Sequence, residues 1–278
     1  MPEKGIHQRM DCKAFALLTD FGLDDAYVGQ MKGVLLSQVP GAQIIDISHG
    51  IRPHNVLQAG LFLSASWPYL PQEAICLAVV DPGVGSDRAV LILQKAERYV
   101  LAPDNGLISQ VLLHQGENRL FRLKQAACSS GISWTFHGRD LFAPAGAKLS
   151  QGVRPDELGE VIDPSRVVHL KLAEPEIRPG VMSVSVGHVD RFGNCLLNLP
   201  EAFWDRGLSS VRRLKLRKPL ERPVRPARTY ADLHGTEIGL IPGSQGVLEL
   251  AVNQGSCAYE LGLDIGDLCL FEGDFDLG

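Results

Sequence analysis

The stretch Ile75-Cys76-Leu77-Ala78-Val79-Val80-Asp81-Pro82-Gly83-Val84-Gly85-Ser86-Asp87-Arg88 decides the fold class. A short, unbroken apolar run bounded by Pro and Gly reads as a strand buried on both faces. It ends on a carboxylate, turns through glycines and reaches an arginine. Working outward, 14–19 is a second run of this kind, and 43–48, 89–93 and 99–102 are further strand candidates. Between them, 25–38 carries Val28, Met31, Val34 and Leu35 at helical spacing, and 55–67, 106–114 and 140–151 also read as helices. Strands alternating with helices imply an α/β layer with a largely parallel sheet.

The texture changes after about residue 163. Pro164, Pro175 and Pro179 give a linker its character. Short strand-like runs follow at 181–186, 195–198, 211–216, 246–252 and 268–271, separated by Gly, Pro and Asn turns. That pattern implies a small all-β domain, barrel-like in form. The expected organisation is an α/β domain over 12–165 and a β-barrel domain over 180–275.

At 278 residues the chain has room for two such cores. Its 27 Lys and Arg against 32 Asp and Glu give a net charge of -5, with no basic run, which argues against nucleic acid as a partner. No apolar stretch reaches membrane-spanning length, and the polar N-terminus lacks a signal-peptide core. A cytoplasmic location with no membrane partner is the expectation. The six cysteines form no C-x-x-C pair and read as buried free thiols.

Candidate site residues cluster where strands end. Asp81 and Arg88 flank a glycine turn that lets backbone approach a ligand closely. The bland alternative is a structural ion pair. His137, in Phe136-His137-Gly138-Arg139-Asp140, would orient or deprotonate a water beside that pair. Asp20, in Thr19-Asp20-Phe21-Gly22-Leu23-Asp24-Asp25, sits at a strand's carboxyl end, the usual ligand crevice of an open α/β sheet. A carboxylate there suits a ribose diol, whereas Asp24 or Asp25 reads better as a helix cap. Pro103-Asp104-Asn105-Gly106 is either a plain turn or, through Asn105, part of the site lining. In the β region, Asp190-Arg191-Phe192-Gly193-Asn194 offers a carboxylate, an aromatic face and an amide, and Gly243-Ser244-Gln245-Gly246 precedes a strand. Each is also ordinary hairpin chemistry. No histidine spacing suits a metal. The segment after the first strand is similar to the calcium loop of nucleoside hydrolases. Its first acidic position, however, is Leu18, which removes one oxygen from a cation needing six to eight. No metal is expected.

Taken in order, Thr19 to Gly22, Val80 to Arg88, Phe136 to Asp140, Asp190 to Asn194 and Gly243 to Ser256 resemble the S-adenosylmethionine hydroxide adenosyltransferase family, relatives of the halogenating enzymes that use the same substrate. The likeness runs over 15–266. It implies that water or hydroxide, bound by Asp81, Arg88 and His137, attacks ribose C5′ of S-adenosylmethionine to give adenosine and L-methionine, with no cofactor. It further implies that Asp20 holds the ribose hydroxyls, Asp190 the methionine ammonium, Ser244 its carboxylate and Asn194 the adenine, with Phe192 packing nearby. Gln245 stands where the halogenating relatives carry an arginine, a departure at the carboxylate contact. The family also implies a homotrimer with sites shared between neighbouring chains. A halide adenosyltransferase, a nucleoside hydrolase and a non-catalytic sensor of S-adenosylmethionine or adenosine remain as alternatives. Asp81 argues against the first, because a carboxylate repels a halide.

Overall fold

The structure is a computed structural model that describes residues 14–124, 126, 131–170 and 173–276. Cys12 and Cys128 lie outside the described residues; Cys76, Cys195, Cys257 and Cys269 are buried and unpaired, as the sequence implies. The chain divides into two compact units after Leu170.

In the first unit, β1 (Ala14–Thr19), β2 (Gln43–Ser48), β3 (Ile75–Val79), β4 (Val90–Lys95), β5 (Arg98–Pro103), β6 (Asn118–Leu123) and β7 (Gly159–Ile162) form one sheet in the order β2-β1-β3-β5-β4-β6-β7. The pairs β1–β2, β1–β3 and β3–β5 are parallel, while β4–β5, β4–β6 and β6–β7 are antiparallel. The parallel half carries the apolar runs read from the sequence. The antiparallel half was less legible: β6 interleaves Arg119 and Arg122 with its buried Leu120 and Phe121.

Every residue of β1 and β3 is buried, and successive side chains serve opposite cores. Phe15, Leu17, Leu77 and Val79 pack with Met31 and Leu35 of α1 (Tyr27–Gln38) on one face. Ala16, Leu18, Cys76 and Ala78 pack with Ala59 and Leu63 of α2 (Val56–Ser66) on the other. Each fully buried Leu or Phe contributes about 1.5–3 kcal/mol. With the first crossover on one face and the second on the other, β1 marks the reversal of strand order. The carboxyl ends of β1 and β3 therefore border the crevice where such sheets bind ligands.

Helix edges differ from the sequence reading. Ala26 begins α1 without a side-chain cap, so neither Asp24 nor Asp25 caps it. The helix expected over 106–114 is only α3 (Ser109–Leu112). The one expected over 140–151 is a π-helical turn, Gly138–Phe142, running into α4 (Ala143–Ser150).

The second unit holds β8 (Glu176–Arg178), β9 (Val181–Val189), β10 (Cys195–Pro200), β11 (Leu214–Lys218), β12 (Arg222–Pro226), β13 (Ile238–Pro242), β14 (Val247–Ala251) and β15 (Leu268–Gly273). The order β10-β14-β13-β12-β11-β15-β9 closes on itself through the β9–β10 pairing, leaving β8 outside the ring on β9. Closure removes the exposed edges that an open sheet would present. Leu240, Leu248, Leu250, Leu197 and Phe271 fill the interior. β12 escaped sequence reading because Pro223 and Pro226 break its pattern, and it is the strand that pairs in parallel with β13.

Candidate active site

Asp81 follows β3 by two residues, and its neighbours make a tight turn. Val84 N–H donates to the Asp81 carbonyl (3.2 Å) and Ser86 N–H to the Gly83 carbonyl (3.1 Å). Gly85 holds φ +81°, and a side chain there would lie 2.7 Å from the Trp134 carbonyl, so only glycine fits. The turn folds Arg88 back onto Asp81. Arg88 Nε donates to Asp81 Oδ1 (2.8 Å) and Nη2 to Oδ2, a bidentate pair with side chains only 10% and 5% exposed. Arg88 Nη2 also lies 2.9 Å from His137 Nδ1. A guanidinium has no acceptor, so Nδ1 presents its lone pair and the neutral imidazole carries its proton on Nε2. The three residues singled out in the sequence are thus one bonded group.

His137 is buried and precedes the π-helical turn. Burial, then the Arg88 cation, hold its pKa below the ordinary imidazole value, against the opposing pull of Asp81 and Asp140. Asp140 is held low chiefly by hydrogen bonds from Arg139, and it also accepts from Ser133 N–H (2.9 Å). These contacts fix the loop that carries His137.

Two further residues serve this end of the sheet. Asn105 Nδ2 donates to the Val80 carbonyl (2.9 Å), and its Oδ1 accepts from Leu107 N–H (3.2 Å), tying the end of β5 to the residue before Asp81. Asp20 follows β1 directly, and its Oδ2 accepts from His54 N–H (2.8 Å). Phe21, Tyr27 and Phe136 form an aromatic clasp with ring centroids 5.1 to 5.8 Å apart. It joins the Asp20 loop to the His137 loop. Nothing in the spacing of these three rings announced it.

In the second unit, Asp190, Phe192 and Asn194 share the turn between β9 and β10. Asp190 Oδ1 accepts from the N–H groups of Phe192 (2.9 Å) and Asn194 (2.8 Å), and Oδ2 from Asn194 Nδ2 (2.9 Å). Gly193, at φ +85°, lies so close to Ser256 that a side chain would clash. The Asn194 side chain is buried, while Phe192 is exposed. Ser244 is exposed in the turn joining β13 to β14. The sequence reading missed Glu249 in β14, which is buried and accepts from Tyr230 Oη. Burial, with the charge of Asp190, raises its pKa against the Tyr230 hydrogen bond. The signal was a lone carboxylate in the apolar run Val247–Ala251.

Among the described residues, no group of three or more His, Cys, Asp or Glu could hold a metal ion, and no helix is long and apolar enough to cross a membrane.

An α/β domain followed by a closed barrel is an architecture found in known proteins. The N-terminal and C-terminal domain models of the SAM hydroxide adenosyltransferase family match residues 15–159 and 184–269. An (R)-S-adenosyl-L-methionine hydrolase of Thermus thermophilus is 38% identical over 262 residues, covering 90% of this chain and 95% of its own. A fluorinase of an Actinoplanes species is more distant, at 25% identity over 90% of this chain and 94% of its own. A solved structure, described as an uncharacterized conserved protein from Thermotoga maritima, superimposes with TM-score 0.85 at 32% identity, covering 92% of this chain and 99% of that one. The chain belongs to the SAM hydroxide adenosyltransferase family.

Proposed function

We propose that this protein is a cytoplasmic, metal-independent enzyme that hydrolyses S-adenosylmethionine to adenosine and L-methionine. The observation that carries the reading is the bonded set Asp81–Arg88–His137 at the carboxyl end of β3. A water held there attacks ribose C5′ from the side opposite sulfur. The C5′–O bond forms as the C5′–S bond breaks, the electron pair stays on sulfur, and methionine leaves as a neutral thioether. No general acid is needed. The water's remaining proton goes to solvent, and the Arg88 cation favours the hydroxide form of the nucleophile. With Nδ1 committed to Arg88, His137 is an orienting donor through Nε2 rather than a base. Alignment of the nucleophile then supplies much of the rate.

Asp20 receives the ribose diol, Asp190 the ammonium, Ser244 the carboxylate and Asn194 the adenine, with Phe192 against it and Asn105 holding the strand end beneath Asp81. The hydrolase relative is named for the (R) epimer at sulfur, and we carry that preference to this chain. We further propose a homotrimer in which neighbouring chains share each site.

Incubation in oxygen-18 water with EDTA, using substrate epimerised at sulfur, tests the reading. The expected result is label at the 5′ oxygen of adenosine and selective loss of the (R) epimer. Chloronucleoside formed in chloride buffer at a comparable rate would indicate a halide transferase. Free adenine would indicate a nucleoside hydrolase, and binding without turnover a sensor.

A pH profile tests the state of His137. Its folded-state pKa lies below the unfolded value of about 6.5. Protonation therefore favours the unfolded chain and sets an added proton against Arg88. The stabilising contribution is complete above about pH 6.5 and is lost as pH falls from there through the folded value. The acid limb of kcat/KM should lie below about 6.5. It should be absent in His137→Gln, whose amide oxygen still accepts from Arg88. An unchanged limb in that variant would assign it to another group.

A further inference from the structure

Beneath the Asp20 loop lies a chain of polar side chains that the reaction does not use. Thr19, the last residue of β1, is fully buried, and its Oγ1 lies 2.8 Å from His49 Nδ1. The His49 side chain is 3% exposed, and its Nε2 lies 3.1 Å from Asp46 Oδ1. Bent from ideal hydrogen-bond alignment, the contact is an electrostatic one, and Asp46 Oδ1 is the acceptor that Nε2 faces. Asp46 is held in turn by Lys32 of α1 at 2.7 Å.

The polarity of the chain follows from its ends. A carboxylate beside Nε2 favours the proton there, so Nδ1 is the acceptor and the Thr19 hydroxyl donates to it. The Thr19 oxygen is then free to accept from Phe21 N–H, which lies 3.3 Å away. The His49 carbonyl meanwhile accepts from Gly22 N–H at 2.8 Å. The two residues that follow Asp20 are therefore held by the Thr19 hydroxyl and the His49 carbonyl, while Asp20 itself is bonded to His54 N–H. The pairing of β1 with β2 slips between Leu17 and Leu18, which sets the end of β2 over the end of β1. An apolar contact would fill this space at lower desolvation cost, since buried polar groups cost free energy unless fully bonded. What a directional polar chain adds is a unique geometry.

We propose that Thr19, His49 and Asp46 are positioning residues that fix the Asp20 carboxylate for the two ribose hydroxyls of the substrate; this rests on the reading of Asp20 given above. None of the three touches substrate. Their effect is on affinity for the diol, and so on KM rather than kcat.

The test uses calorimetry of the full chain with adenosine and with 2′,3′-dideoxyadenosine, plus steady-state kinetics. Thr19→Val keeps the buried volume and removes the hydroxyl. It should weaken adenosine binding about tenfold, raise KM to match and leave kcat within about twofold. Asp46→Asn, at a side chain 43% exposed and outside the core, should weaken adenosine binding by about threefold and guards against a folding defect in the first variant. Both should bind dideoxyadenosine like the parent. In an Asp20→Ala background neither change should weaken adenosine further, because the chain acts only through that carboxylate. Equal losses with and without Asp20, equal losses for both nucleosides, or no loss in either variant would overturn the proposal. An Asp20→Ala protein that binds adenosine like wild type would overturn the ribose reading itself, and is a separate result.

Discussion

Asp81→Asn should retain its affinity for adenosine while kcat falls by about a thousandfold, the loss seen when a group acting on charge in the transition state is neutralised. Both oxygens of Asp81 are engaged by Arg88, so the carboxylate has two tasks. It holds the guanidinium in one orientation, and in the proposed mechanism its outer lone pairs face the nucleophile. The interaction with attacking oxygen tightens as C5′–S breaks, so the loss belongs in kcat. Asparagine is the informative replacement. Alanine would strand a buried guanidinium, and breaking a buried pair in that way destabilises by about 3–5 kcal/mol. Steady-state kinetics and adenosine calorimetry on a variant with an unchanged melting temperature decide the matter. If affinity falls as far as turnover, Asp81 is a substrate ligand or a structural carboxylate.

What the sequence disclosed, and what it hid, divides along physical lines. The strands β1, β3 and β5 are legible because parallel strands covered on both faces need unbroken apolar runs. Antiparallel β6 and the proline-bearing β12 lack such runs, and their identity as strands depends on partners far away in the chain. The Asp81 and Arg88 pairing was readable because the two lie only seven positions apart, across a glycine turn. The tautomer of His137 was not, because it follows from a contact 49 residues distant. Asp24 and Asp25 had the right residue type for a cap, yet α1 starts at Tyr27 and neither carboxylate serves it. The aromatic clasp and the Thr19–His49–Asp46 chain escaped for the same reason as β6: each is made of ordinary residues whose meaning is a tertiary contact.

The largest recovery of activity should come from mixing two defective proteins. The proposed nucleophile side, Asp81, Arg88 and His137, belongs wholly to the α/β unit, and the proposed ammonium and adenine contacts, Asp190 and Asn194, belong wholly to the barrel unit. Asp81→Asn inactivates the first set. Asp190→Asn removes the charge proposed to meet the ammonium while keeping an oxygen for the N–H groups of Phe192 and Asn194, and should cost about a hundredfold in kcat/KM. In a closed cyclic trimer each site would take its α/β side from one chain and its barrel side from the next. Random reassembly of equal amounts of the two variants then gives about one quarter of sites with both sides intact, one quarter with both sides damaged and the rest with one defect. Activity should rise from the parents' residual levels to about a quarter of wild type. If each site is instead completed within one chain, every site in the mixture keeps one defect and no activity returns. The experiment needs proof of exchange, which mass analysis of mixed oligomers with one isotopically labelled variant supplies. Exchange without recovery would confine each site to a single chain, and a monomeric mass would reject the trimer outright.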